Sequence, residues 1–145
     1  MFSKYYPRSL ALGALLLLGP LACDDAPTEP STLRAGTYTA TTFRVIPTGQ
    51  PPLEVLAGGG TLTITVAADG RTSGRLFVPA SLTGDDPLDA SMAGTAVQAG
   101  GEVRFEQTAD TFVRDLEWQV GTSTLTVVDQ PAGSARFTIT LTRQP

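Results

Sequence analysis

At 145 residues, with 14 acidic against 10 basic side chains and a net charge of −4, the chain fits one domain and lacks the basic surplus that nucleic acid attracts. It has no histidine, one cysteine and no lysine beyond Lys4, so the usual general bases, nucleophiles and Schiff-base formers are missing and no enzyme activity is expected. Zinc and copper would lack their preferred ligands for the same reason, and neither a metal nor a cofactor is expected.

Residues 1–22 read as a secretory leader: Lys4 and Arg8 supply positive charge, Leu10 to Leu18 form a short apolar run, and Gly19-Pro20 break it before Ala22. The run falls short of the ~20 residues that cross a bilayer as a helix. Leu18 to Cys23 resembles the lipobox of bacterial lipoproteins, with Pro20 where that family usually has leucine. The resemblance implies that Cys23 becomes the acylated mature N-terminus. The protein would then be held in the cell envelope by its acyl chains, facing the periplasm in the inner or the outer membrane. Lipidation also accounts for a single cysteine in an oxidising compartment.

Residues 23–35, polar and carrying proline, are expected to be a flexible tether, and residues 36–145 the folded domain. Strand patterns begin at Gly36. Thr61 to Val66 and Phe137 to Thr142 alternate aliphatics or aromatics with threonine, and further candidates run over residues 36–46, 72–78, 88–97, 102–107, 111–120 and 124–129. No helical stripe interrupts them.

Asp69-Gly70, Gly100-Gly101 and Gly121-Thr122-Ser123 are tight hairpin signals. The alternate connections, residues 47–54, 79–87 and 130–134, are longer, with residues 108–110 a short exception. This arrangement predicts an all-β, eight-stranded antiparallel up-and-down barrel, tightly turned at one end and loop-bearing at the other. An immunoglobulin-like sandwich is the alternative, and successive hairpins favour the meander.

The pattern from Gly36 to Arg143 resembles the lipocalin and fatty-acid-binding barrels. Gly36-Thr37-Tyr38 stands where those families carry Gly-x-Trp, and Arg143 shares the parity of Phe137, Ile139 and Leu141. The resemblance implies that Tyr38 and Arg143 plug the closed end of the barrel, with a cation–π contact between them.

The expected inward set includes Tyr38, Phe43, Leu62, Ile64, Val66, Met92, Val103, Phe105, Phe112, Leu116, Trp118, Val120, Leu125, Val127, Phe137, Ile139 and Leu141. On the sixth strand Arg114 shares the parity of Phe112, Leu116 and Trp118. Facing inward it would need a counter-charge, and fatty-acid-binding barrels use internal arginines in this way. A bulge turning it to solvent is the alternative. Phe43, Met92, Phe112, Arg114 and Trp118 are therefore the candidate ligand-binding residues. The acidic loop Gly84-Asp85-Asp86-Pro87-Leu88-Asp89 lacks calcium-loop spacing and reads as solvated surface, and Gly58-Gly59-Gly60 is followed by no helix that could hold phosphate.

Two functions fit these features. One is a lipid-anchored binding module that holds a small apolar or amphiphilic ligand in its barrel. The other is a non-catalytic interaction protein, such as an envelope inhibitor or assembly factor, with a filled barrel and partner-binding loops. An apolar cavity opening between Pro51-Pro52-Leu53 and the segment from Leu82 to Leu88 would favour the first.

Overall fold

The structure, a computed structural model, describes residues 29–145; Cys23, the leader and the first part of the expected tether lie outside the described residues. The clean alternation at Thr61-Leu62-Thr63-Ile64-Thr65-Val66 becomes a strand with Leu62, Ile64 and Val66 buried, as one buried face requires. The chain runs β1 (Gly36–Pro47), β2 (Leu53–Glu54), β3 (Thr61–Val66), β4 (Arg71–Val78), a helical turn α1 (Ala80–Thr83), β5 (Leu88–Ser91), β6 (Gly94–Ala99), β7 (Glu102–Gln107), a 3-10 turn (Phe112–Asp115), β8 (Trp118–Val120), β9 (Thr124–Ala132) and β10 (Ala135–Arg143).

Neighbours pair antiparallel around a ring β1-β3-β4-β6-β7-β8-β9-β10, and β10 returns to β1 to close it. The expected eight-stranded up-and-down barrel is the fold. Two short segments modify it: β2 is a spur on β1, and β5 continues the line of β6 along β4. The expected strand over residues 88–97 is thus broken at Met92-Ala93, yet its even-numbered residues keep facing inward. Met92 is fully buried, and Gly94 leaves room there for the β7 backbone.

Two bulges set the side-chain parity. In β1 the register slips between Ala40 and Thr42, so Tyr38 on one side and Phe43 on the other both point inward. In β9 the slip falls at Val128-Asp129, where Asp129 has φ 49°, and Arg136 of β10 clamps it with Nε donating to Asp129 Oδ1 at 2.7 Å. That strand extends to Ala132, so the connection expected over residues 130–134 is in fact a tight hairpin.

The barrel interior is filled below its loop-bearing end. Trp118, Phe105, Leu62, Ile64, Leu76, Met92, Leu125, Ile139 and Leu141 are at most 1 % exposed, and Phe105 packs edge-on to Trp118 at 5.8 Å. At ~1.5–3 kcal/mol for each large side chain removed from water, this set holds the domain without a disulfide.

The tightly turned end carries the hairpins after β3, β6 and β8 together with the start of β1 and the finish of β10. Tyr38 and Arg143 are cross-strand partners there, as expected. The closure itself is built differently. Arg143 Nε donates to the Ala35 carbonyl at 3.0 Å and lies across Gly36. Tyr38 is buried and its hydroxyl donates to the Arg34 carbonyl at 2.8 Å.

A strap formed by residues 31–35 completes the seal. Gln98 Nε2 donates to Ser31 O at 2.7 Å, Gln98 Oε1 accepts from the Leu33 amide at 2.8 Å, and Leu33 packs on the core. This corrects the expectation of a free tether for these residues. Leu33, an apolar residue among polar neighbours, is what ties the segment down.

Candidate functional site

At the opposite end, loops of unlike origin meet over the barrel. β1 ends at Pro47 in a turn with the Gln50 amide on Pro47 O at 3.2 Å, Pro51-Pro52 follow, and Leu53 and Glu54 return as the β2 spur, which places Val55 inside with its amide on the Phe43 carbonyl at 2.8 Å. From the other side Pro79 opens α1, whose last turn stops at Gly84 in the left-handed region with its amide on Ala80 O at 2.9 Å. Leu82 of that turn lies on Gly58, so close that a Cβ at Gly58 would stand 2.6 Å from Leu82 Cδ1. A larger residue at position 58 would displace the Leu82 side chain from this contact.

Beneath this contact is an apolar pocket of about 210 Å³ that opens to solvent. Leu53, Val55, Leu82 and Leu88 form its loop side, and Phe43, Phe112 and Phe137 supply an aromatic wall. Phe112 stacks on Phe137 with centroids 4.3 Å apart and meets Phe43 at 5.9 Å. Among the lining residues Thr83 is the one with a polar side chain, and no charged group lines the space. The pocket exceeds the cavity of about 150 Å³ that accommodates benzene in an engineered protein core, and is smaller than the ~300 Å³ at which drug-sized clefts begin.

Two ion pairs are carried by residues next in the chain to lining residues: Arg44 and Glu54 adjoin Phe43, Val45, Leu53 and Val55, and Asp89, paired with Arg75, adjoins Leu88. Arg75 holds Asp89 through Nε and Nη2 at 2.8 and 2.7 Å, and this hydrogen bond keeps the Asp89 carboxyl below its ordinary range. Arg44 faces Glu54 at 3.5 Å. Both pairs are exposed, and such pairs contribute little to stability.

The five candidate ligand-binding residues are divided by the structure. Phe43 and Phe112 come together in the pocket wall. Met92 and Trp118, both 0 % exposed, sit in the filled core. Arg114 does not face inward: residues 112–115 form a 3-10 turn, whose period near three buries Val113 and Leu116 and turns Arg114 out toward Asp110, 3.5 Å away. The alternative of Arg114 in solvent therefore holds, produced by a turn of 3-10 helix. Tyr38 and Arg143 lie at the far end of the barrel.

Sequence reasoning missed Val55, Leu82, Leu53 and Leu88 as pocket residues, although it named the two loops between which the pocket opens. The signal available was their type: leucine and valine placed between Pro and Gly in loops expected to be polar. Comparison of the chain with protein-family models, with curated proteins and with solved structures gives no significant match in any of the three.

Proposed function

We propose that this protein is a lipid-anchored, non-catalytic binding module of the bacterial envelope that takes a small apolar molecule, or the apolar end of an amphiphile, in the pocket beneath Leu82 and Gly58. The observation that carries the reading is the pocket itself: about 210 Å³, open, lined by aliphatic and aromatic side chains with Thr83 at its edge. Its size favours one ring or a short branched chain, with any polar head left outside in solvent. Arg114, exposed and facing Asp110, is not proposed as the head-group partner.

Cys23 would carry the acyl anchor. The strap of residues 31–35 brings the chain to the sealed end, which supports an orientation with that end toward the membrane and the pocket away from it.

Native mass spectrometry of protein purified from its own host tests the ligand reading. A bound apolar molecule lost on Leu88→Trp, which fills the pocket, is the expected result. An empty protein that also ignores hydrophobic fluorescent probes would overturn it. A second reading, a partner-binding protein with a solid barrel, is favoured by the closely filled interior around Trp118 and Phe105. It predicts that empty outcome.

A further inference from the structure

The interior of the pocket is apolar, and the chemistry at its edge is one-sided. Thr83 has the one polar side chain among the lining residues. Its hydroxyl owns a single proton and donates it to Asp86 O at 2.8 Å, with Ala80 O farther off at 3.4 Å. What Thr83 Oγ1 has left is its capacity to accept. A ligand that bonds there must donate, as an amine or an alcohol does and a carboxylate does not.

The charges have the same sense. Every described arginine within three positions of a lining residue is already paired. Arg44 meets Glu54 and Arg114 meets Asp110, each at 3.5 Å, while Arg75 meets Asp89 and Arg136 meets Asp129, each at 2.7 Å. In the same stretches Asp85, Asp86 and Asp115 have no ion-pair partner among the described residues. An anionic head group would find no uncommitted cation there, whereas a cationic one would find uncommitted carboxylates.

Asp85 and Asp86 are the two tied most directly to the pocket. The chain turns at Gly84, φ 84°, and the Asp86 carbonyl comes back to the Thr83 hydroxyl. The two acids thus lie between lining residues Thr83 and Leu88. Two residues of chain span at most about 7 Å between Cα atoms, which bounds the separation of Asp85 from Thr83 and of Asp86 from Leu88. That range is comparable with the Debye length at physiological salt, and both acids are exposed, so their charge acts on a head group at the mouth.

We infer that the pocket takes an apolar group carrying a protonated amine, whose N–H is accepted by Thr83 Oγ1 and whose charge is favoured by Asp85 and Asp86, and that it discriminates against carboxylates. The inference rests on the pocket being a ligand site. It reverses the sign of the ligand that an inward Arg114 would have bound.

The test titrates benzylammonium, benzyl alcohol and benzoate into the isotopically labelled full chain at neutral pH, read by NMR at the methyl groups of Val55 and Leu88. These share one ring and differ in the charge of the head. At ~0.01 M salt benzylammonium should bind about threefold more tightly than benzyl alcohol and about tenfold more tightly than benzoate, and the spread should contract at ~0.15 M. Replacing both acids, Asp85→Asn with Asp86→Asn, should contract it at low salt as well. Thr83→Val should weaken benzylammonium about fivefold, and Thr83→Ser, which keeps the hydroxyl, should bind it as the parent does. Benzyl alcohol binding as tightly as benzylammonium, a preference for benzoate, or a spread that survives removal of both acids would overturn the inference and leave the pocket a ligand site. Absence of methyl shifts with all three compounds would overturn the pocket reading and the inference with it.

Discussion

Arg143 lies across Gly36: its Nε reaches the Ala35 carbonyl at 3.0 Å and stands 2.6 Å from where a Cβ on residue 36 would be. Gly36 also has φ 145°, so both the missing side chain and the backbone conformation are used. Gly36→Ala should therefore destabilise the fold by about 1–3 kcal/mol through overpacking. In urea denaturation, adding Arg143→Ala to that variant should cost less than Arg143→Ala alone, because it also removes the atoms that the new methyl meets. Additive effects would mean that the two residues do not meet.

Trp118→Ala should cost about 3–5 kcal/mol, the range for emptying a large core site. Trp118→Phe should cost far less than half of that. It keeps most of the packing against Phe105 and removes an indole N–H that is buried with no partner among the described residues. Equal losses for the two variants would show that the indole N–H is satisfied by water.

At the pocket, Leu88→Trp should weaken binding of a hydrophobic fluorescent probe by about tenfold or more, a loss of about 1.4 kcal/mol, with the fold intact. Arg114→Ala should leave the probe affinity unchanged, since that side chain lies outside the pocket. A loss of affinity in Arg114→Ala would return the arginine to the site.

The barrel strands were legible because one buried face forces period-two alternation, and Leu62, Trp118 and Ile139 point where that alternation sends them, whereas Tyr38 and Phe43, of opposite parity, both point inward only through the bulge between Ala40 and Thr42. Residues 111–116 deceived for a physical reason. Phe112, Arg114 and Leu116 match strand parity by coincidence, while Val113 and Leu116, three apart, carry the 3-10 spacing that operates there. The pocket was legible in its location and in two residues of its aromatic wall, Phe43 and Phe112, and not in its loop side, because Val55 and Leu82 are carried by loops that meet only in the folded barrel. No local pattern records that.

The pH dependence should show an acid limb traceable to the β9 bulge. Hydrogen bonding to Arg136 holds the Asp129 carboxyl below its ordinary range, so protons bind the unfolded chain more readily than the folded one. The stabilisation is complete above the ordinary carboxylate range and is lost as pH falls through it and then through the depressed folded value. In Asp129→Asn the urea midpoint should fall less steeply between neutral and acid pH. An unchanged slope would assign the acid limb to other carboxylates, Asp89 beside Arg75 first among them.

The proposed orientation can be read by accessibility in membranes. With the sealed end toward the bilayer, a thiol-directed reagent should label Leu53→Cys, beside the pocket, faster than Thr122→Cys, in the hairpin after β8. Equal rates would remove the orientation.

Closure of the barrel depends on strands far apart in the chain: Thr41 and Thr142, 101 residues apart, share a hydrogen bond at 3.0 Å across the β1–β10 seam. Until β10 has been delivered, β1 cannot find its second neighbour, and every partly folded form presents two raw sheet margins. Folding should accordingly be slow for the size of the domain. The vulnerable interval for clumping with other chains is then the time between the emergence of β1 and the arrival of β10. A helper that shields this protein would act during that interval, on the amino-terminal strand.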